Sequence, residues 1–163
     1  MNALFKEQQR FTQWWLWLIL IPIGVLPVVG IFQQLILKEE FGDNPMSDFG
    51  LILFAVFVFA LLGLFLMMRL KTEIDQTEIR ISFIPFVKKR IKWTEIKKAE
   101  VVNYGFVGGW GIRLSFKYGT VYNIKGNMGL AIELNNGKRF VIGTQREKEL
   151  GSIVEKAIEQ HGI

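Results

Sequence analysis

The 163 residues carry twenty basic and fifteen acidic side chains, a formal charge of +5, and half of them are hydrophobic. The absence of cysteine excludes disulfides, thiolate metal sites and a cysteine nucleophile. The one histidine, His161, is third from the C-terminus, and serine occurs only at Ser47, Ser82, Ser115 and Ser152, so nucleophile–base chemistry has little to build on.

In chain order, residues 1–10 carry Lys6 and Arg10 against Glu7, a charge of +1. An uncharged apolar run then covers Trp14–Phe32 and continues to Leu37. Its first nineteen residues would rise ~29 Å as a helix, close to the ~30 Å of a bilayer's hydrocarbon. Pro22 and Pro27 lie inside this run and predict a kink. A short loop follows in which Lys38 faces Glu39, Glu40, Asp43 and Asp48, a charge of −3. The second apolar run, Phe49–Met68, stops at Arg69 and Lys71. The rest of the chain is too small to bury two helices that are apolar on every side. The first run is also too long, and lacks the small-residue site, for a cleaved signal peptide. Residues 1–69 are therefore expected to form a transmembrane hairpin with helices over about 11–37 and 49–69. The basic residues flank the hairpin and the acidic ones sit in its loop, which predicts both termini in the cytoplasm. Trp14, Trp15 and Trp17 would then lie at the cytoplasmic interface.

The remaining +7 belongs to residues 69–163, where the pattern changes to short strands separated by turns. Leu70–Asp75 and Glu78–Phe83 flank a hairpin at Gln76-Thr77, with Ile79, Ile81 and Phe83 alternating against Glu78, Arg80 and Ser82. Lys89–Trp93, Ile96–Tyr104, Ile112–Phe116 and Thr120–Ile124 follow. Gly129–Leu134 and Lys138–Ile142 are joined by Asn135-Asn136-Gly137, a hairpin signal. Trp93 alternates with Ile91 and is expected to be buried. Thr144 and Glu147 have capping-box spacing, and Leu150, Ile153, Val154, Ala157 and Ile158 form a helical stripe. The predicted fold class is an α+β membrane protein: a two-helix hairpin, then a cytoplasmic antiparallel barrel or sandwich over residues 70–163 with a C-terminal helix.

Three segments carry a resemblance. IDQTEIRISF at Ile74–Phe83, IKWTEIKKAEV at Ile91–Val101 and LNNGKRFVIGTQ at Leu134–Gln145 resemble the PH-like domains of small bacterial membrane proteins. The likeness covers about residues 70–160, and a two-helix hairpin before the domain is familiar in that group. It implies a bent β-barrel closed by a C-terminal helix, residence in the cytoplasmic membrane, and binding or scaffolding rather than chemistry.

Two groups stand out as candidate sites. Lys88, Lys89, Arg90 and Lys92 form the densest basic cluster, read either as a contact with anionic lipid headgroups or as a solvated hairpin turn. No preformed phosphate pocket is expected around them. The loop GFVGGWG at Gly105–Gly111 lacks nucleotide-binding spacing. Phe106 and Trp110 in it form either an exposed tip for lipid or a partner, or a wide loop folded back on the core. The bases are scattered along strands with no recognition helix, so nucleic acid is not an expected partner. No catalytic residue, metal site or cofactor is predicted. The function expected is that of a non-enzymatic, membrane-anchored module that contacts protein, a second copy of itself, or the membrane surface. The alternative is an accessory subunit of a larger membrane complex, held through its helices.

Overall fold

The computed structural model describes residues 3–163, and the chain divides into two units: residues up to Arg10 together with Met68–Ile163, and Phe11–Met67. The boundary expected after residue 69 therefore leaves out a piece of the domain. Phe5–Arg10 precedes the first apolar helix in sequence, yet it folds as the first strand, β1, of the C-terminal unit.

The apolar unit is a helical hairpin. Its first helix, α1 (Trp14–Ile31), stays helical across Pro22 and Pro27 and continues as a π-helical turn, Phe32–Leu37. Lys38 ends it in the left-handed conformation, φ 62°. The second helix, α2 (Asp48–Met67), starts after Ser47, whose hydroxyl accepts the Gly50 N–H. Gly24, Pro27 and Gly30 line the packed face of α1, and Leu51, Ala55 and Val58 that of α2. The small residues let the helices approach closely: a Cβ on Gly30 would crowd Phe41 and Leu51, and one on Gly24 would meet Leu62 at 2.8 Å. Gln33 and Gln34 are the polar residues of the first run, and they serve the loop. Gln33 Nε2 donates to the Glu40 carbonyl, and Gln34 Nε2 to the Met46 carbonyl and the Asp48 carboxylate.

Among the described residues the other unit has nine strands in two sheets and no single closed barrel. The first sheet is antiparallel in the order β1, β2 (Arg69–Ile74), β3 (Glu78–Ile84), β4 (Val87–Lys92). A short 3-10 turn, Trp93–Glu95, leads to β5 (Ile96–Asn103), then β6 (Gly111–Ser115), β7 (Gly119–Asn123), β8 (Met128–Leu134) and β9 (Arg139–Gly143). The second sheet has the order β5-β8-β9-β7-β6. The antiparallel expectation fails at one place, because β7 and β9 pair in parallel. They are not consecutive: β8 lies between them in sequence and reverses the chain, so β9 enters between β8 and β7. The last helix, α3 (Glu147–His161), buries Leu150, Val154 and Ala157.

The alternation of β1 explains its place. Phe5, Glu7 and Gln9 are buried, while Lys6, Gln8 and Arg10 face out. It pairs residue for residue with β2, from Phe5 opposite Ile74 to Arg10 opposite Arg69. Its inward polar side chains then bind the second sheet. The Glu7 carboxylate accepts the Thr144 hydroxyl at 2.6 Å and the Gln145 N–H at 2.8 Å, and Gln9 Nε2 donates to the Gly143 carbonyl at 2.7 Å. Arg146 completes the seam, donating to the Lys6 carbonyl and standing over the Phe5 ring. Thr144 consequently does not cap the helix in a box with Glu147. Its hydroxyl donates to Glu7 and accepts the Arg146 N–H at 3.0 Å, two residues on, and α3 begins after Arg146 without a side-chain cap.

Trp93 is fully buried, as expected, although it sits in the 3-10 turn rather than on a strand. Its indole donates to the Asp75 carbonyl at 3.0 Å, and the His161 ring stacks on it. Asp75 organises the β2–β3 turn, accepting the amide and hydroxyl of Thr77 and the amide of Glu78, and pairing with Arg80 at 3.0 Å. Burial pushes this carboxyl up, but the Thr77 and Glu78 donors and Arg80 outweigh it and hold it below its ordinary value.

Three outcomes follow for the stability of the full chain in detergent. Glu7→Ala strands two buried donors and should cost at least about 1–3 kcal/mol, whereas Lys6→Ala on the outer face should stay within about 0.5. An equal, small effect of both would mean β1 is not docked. Trp93→Ala should cost roughly 3–5 kcal/mol, and a loss under about 1 would place the indole outside the core. Asp75 contributes stability that is complete above the ordinary carboxylate range and lost as pH falls through its depressed native value. Asp75→Asn should therefore flatten the acid limb of the pH–stability curve, and an unchanged limb contradicts the assignment.

Candidate functional site

The basic cluster lies on β4, the edge strand of the first sheet. Because successive side chains alternate in direction, the strand divides the cluster. Lys88, Arg90 and Lys92 share the face of their cross-strand partners Ser82, Arg80 and Glu78. Lys89 shares the opposite face with buried Ile91, and its Nζ stands 5.1 Å from the ring centroids of both Tyr122 and Phe140. Those rings belong to β7 and β9, so Lys89 reaches across to the second sheet and is held there by cation–π attraction.

The gap that Lys89 enters is a cleft of about 590 Å³. Lys88, Lys89 and Arg90 line one side, and Lys138 and Arg139 at the start of β9 line another, with Phe140 and Thr120 between and Glu95 as the single acid. Lys92 is not among the lining residues. Three of the cluster's four residues line this cleft, Lys89 from the inner face of β4 and Lys88 and Arg90 from its outer face, together with two basic residues fifty positions further along the chain. The missed pair follows the Asn135-Asn136-Gly137 turn, a pattern visible in sequence, but nothing local says which strand that turn will face.

The two basic segments are held in fixed register. The β8–β9 hairpin closes with the Leu134 N–H on the Lys138 carbonyl, and Asn136 Oδ1 accepts the Lys138 N–H. The same hairpin is pinned to the turn that follows β4, where Asn135 donates its amide N–H to the Glu95 carbonyl and its side-chain N–H to the Thr94 carbonyl, both at 2.9 Å. Gly119 permits the close pairing of β7 with β9, since a Cβ there would collide with the Arg139 carbonyl.

Some basic residues of the domain are matched to acids and others are not. Lys6 pairs with Glu73, Arg80 with Asp75, Lys97 with Glu133, Lys98 with Glu100 and Arg146 with Glu149. Among the described residues, Lys88, Lys89, Arg90 and Lys138 make no ion pair.

The second candidate, the glycine loop, is open to solvent. Gly105, Gly108, Gly109 and Gly111 all have positive φ, which shapes a turn that side-chain-bearing residues would resist. Its base is tied by Tyr104, whose hydroxyl donates to the Gly126 carbonyl and accepts from Asn123. Phe106 is 88% exposed, whereas Trp110 is partly covered at 36%. The structure adds an exposed apolar group on the segment expected as a strand at Ile112–Phe116. Ile112 and Leu114 on β6 and Phe116 in the turn just after it are exposed, Leu114 and Phe116 at 85% and 107%. β6 is the edge of the second sheet, so this apolar row flanks a strand with one side unpaired.

Searches of protein-family models, curated proteins and solved structures return no match to this chain. The site must therefore be interpreted from its own chemistry. Leu114→Ser and Phe116→Ser should each leave stability within about 0.5 kcal/mol, because the side chains support no packing. A loss above about 2 kcal/mol in thermal unfolding would show that the row is internal.

Proposed function

We propose that the protein is a non-enzymatic binding module anchored in a membrane, with a PH-like domain that engages a protein partner or a second copy of the chain. The observation that carries this reading is the open edge of the second sheet, where Ile112, Leu114 and Phe116 are exposed beside unpaired strand backbone. Exposed apolar rows on a sheet edge favour association, either by strand addition or by face contact. Two packed sheets followed by a C-terminal helix agree with the domain type that the sequence resembles.

Anchoring rests on the helices. Trp14–Leu37 and Asp48–Met67 are long and apolar enough to cross a bilayer, and only 17% of the apolar window of each is buried. A core helix of a soluble protein would be mostly buried, whereas a membrane helix turns its apolar faces to lipid. In this reading the hairpin sits in a bacterial cytoplasmic membrane, with β1 and the domain on the cytoplasmic side and the acidic loop outside.

The alternative, an accessory subunit held through its helices, has one observation in its favour. A shallow apolar groove runs along α2, lined by Gly50, Leu53, Phe54, Val56, Phe57 and Ala60.

Gentle extraction followed by native mass spectrometry separates the two readings. The module reading expects a defined oligomer or complex that Leu114→Glu with Phe116→Glu dissolves while the domain stays folded. A complex that survives this pair but is lost on Phe54→Ala with Phe57→Ala favours the accessory subunit. For orientation, single cysteines at Asn44 and Gln160 should react oppositely with an impermeant thiol reagent on intact cells. Labelling of Gln160→Cys but not Asn44→Cys would invert the topology.

A further inference from the structure

We propose that β6 pairs with β6 of a second copy of the chain, antiparallel about a two-fold axis at Leu114, and so joins two five-stranded sheets into one. The proposal rests on the reading of this domain as a binding module and commits that module to self-association.

The exposed row on β6 continues a core face. Ile112 lies opposite Tyr122 and Leu114 opposite Thr120, and these in turn lie opposite Ile142 and Phe140 on β9. Tyr122, Ile142 and Phe140 are buried. The first sheet covers this face as far as Lys89 of β4, which stands over the Tyr122 and Phe140 rings. β6 lies one strand beyond β7, and there the cover ends.

Open strand edges are ordinarily blocked by charge, proline or a bulge. The other edge strands of the two sheets have such devices. β4 carries Lys88, Lys89, Arg90 and Lys92, β5 has a shift of register between Ile96 and Lys98, and β1 carries Lys6 and Arg10. β6 has no proline and pairs with β7 without a shift. Its single charged side chain, Arg113, turns back to donate to the Trp110 carbonyl at 3.1 Å.

The segment also fits itself. With the axis at Leu114, Leu114 meets Leu114 of the second copy, Ile112 meets Phe116, and Arg113 meets Ser115. Apolar side chains then face apolar ones, and no like charges are opposed. An axis at Arg113 would set two guanidinium groups side by side, and one at Ser115 would set Arg113 against Lys117. A shift by one residue would set the row against Arg113 and Ser115. The contact is short, but two copies anchored in one membrane meet at a raised effective concentration.

The chain has no native cysteine, so introduced cysteines report the register. The purified full chain is reconstituted in phosphatidylcholine vesicles and mildly oxidised. Leu114→Cys should form a disulfide-linked dimer with itself. Arg113→Cys mixed with Ser115→Cys should give the mixed dimer in excess over either self-dimer. Directly opposite Cβ atoms are ~4.5–5.5 Å apart, within reach of a disulfide after a small adjustment, whereas residues two positions out of register are not. Glu155→Cys on the exposed side of α3 is the control and should stay monomeric. Leu114→Glu added to both members of the mixed pair should lower its yield at least about tenfold, because each copy loses a buried leucine and two carboxylates are opposed. The unfolding temperature should not change, which separates this loss from misfolding.

The proposal is overturned if Leu114→Cys forms no disulfide, if Arg113→Cys and Ser115→Cys link to themselves as readily as to each other, or if Leu114→Glu leaves the yield unchanged. Should Leu114→Glu with Phe116→Glu release a different protein from gently extracted membranes while Leu114→Cys stays unlinked in the purified chain, self-pairing fails and the module reading stands. Should that pair release nothing and Leu114→Cys stay unlinked, both fail.

Discussion

The pairing of β1 with β2 is the constraint on which the architecture depends. Arg10 and Arg69 are cross-strand neighbours, although fifty-eight residues and two apolar helices separate them in the chain. Any path the helices take must therefore leave from and return to the same place. A hairpin satisfies that requirement and a single pass does not. The pairing is secured from inside by Glu7 and Gln9, whose side chains would be costly to bury without partners and which find them at Gly143, Thr144 and Gln145. The first strand thus joins both sheets: its backbone completes one, and its side chains are bonded to the end of the other. The domain is not an appendage that follows an anchor. It is a unit into which the hairpin has been inserted.

Ion pairs organise part of the domain surface. Where acids and bases alternate across strands, as at Glu73, Asp75 and Arg80, the charges are matched and fix local geometry. Along β4, Lys88 and Arg90 lie on the outer face, while Lys89 lies on the inner face over the Tyr122 and Phe140 rings. The apolar row on β6 is a departure from a self-sufficient surface. Leu114 of that row also lines the cleft beside β4, so the two features adjoin.

Much of the fold was legible in the sequence because it rests on short-range signals. Strand positions from residue 69 on agree closely with the alternation of apolar residues, the Asn135–Gly137 turn makes its hairpin, and the α3 stripe packs inward. What escaped was long-range. Residues 5–10 read as FKEQQR, with one apolar side chain and polar residues elsewhere, so the buried face of Phe5, Glu7 and Gln9 has no hydrophobic signature. The inward groups are polar because they meet backbone and a threonine hydroxyl rather than a core. The Thr144–Glu147 spacing misled because the helix starts later: Arg146 holds the N-cap position, and the Thr144 hydroxyl bonds Glu7 and the Arg146 N–H instead. Thr120–Ile124 and Lys138–Ile142 have the composition of strands in either direction, so their parallel pairing left no local trace. The segment Ile112–Phe116 was read as a strand, and its exposure follows from the place of β6 at the sheet edge, which no local signal gives. The cleft was half visible: the β4 cluster announced itself, while Lys138 and Arg139 became relevant only once the sheets faced each other.

The most direct test of the inserted-hairpin architecture uses the absence of native cysteine. Gln8 and Lys71 are cross-strand partners on the outer face of β1 and β2, so Gln8→Cys with Lys71→Cys should form a disulfide on mild oxidation. A protease site placed in the loop at Asp43-Asn44 then cuts the chain between the helices. The account predicts that the two fragments stay joined on a non-reducing gel and part on reduction. Gln8→Cys with Thr72→Cys, one residue out of register and on the opposite face, should join far less. Fragments that separate without reduction in the Gln8/Lys71 pair, or that join equally in both pairs, would contradict it.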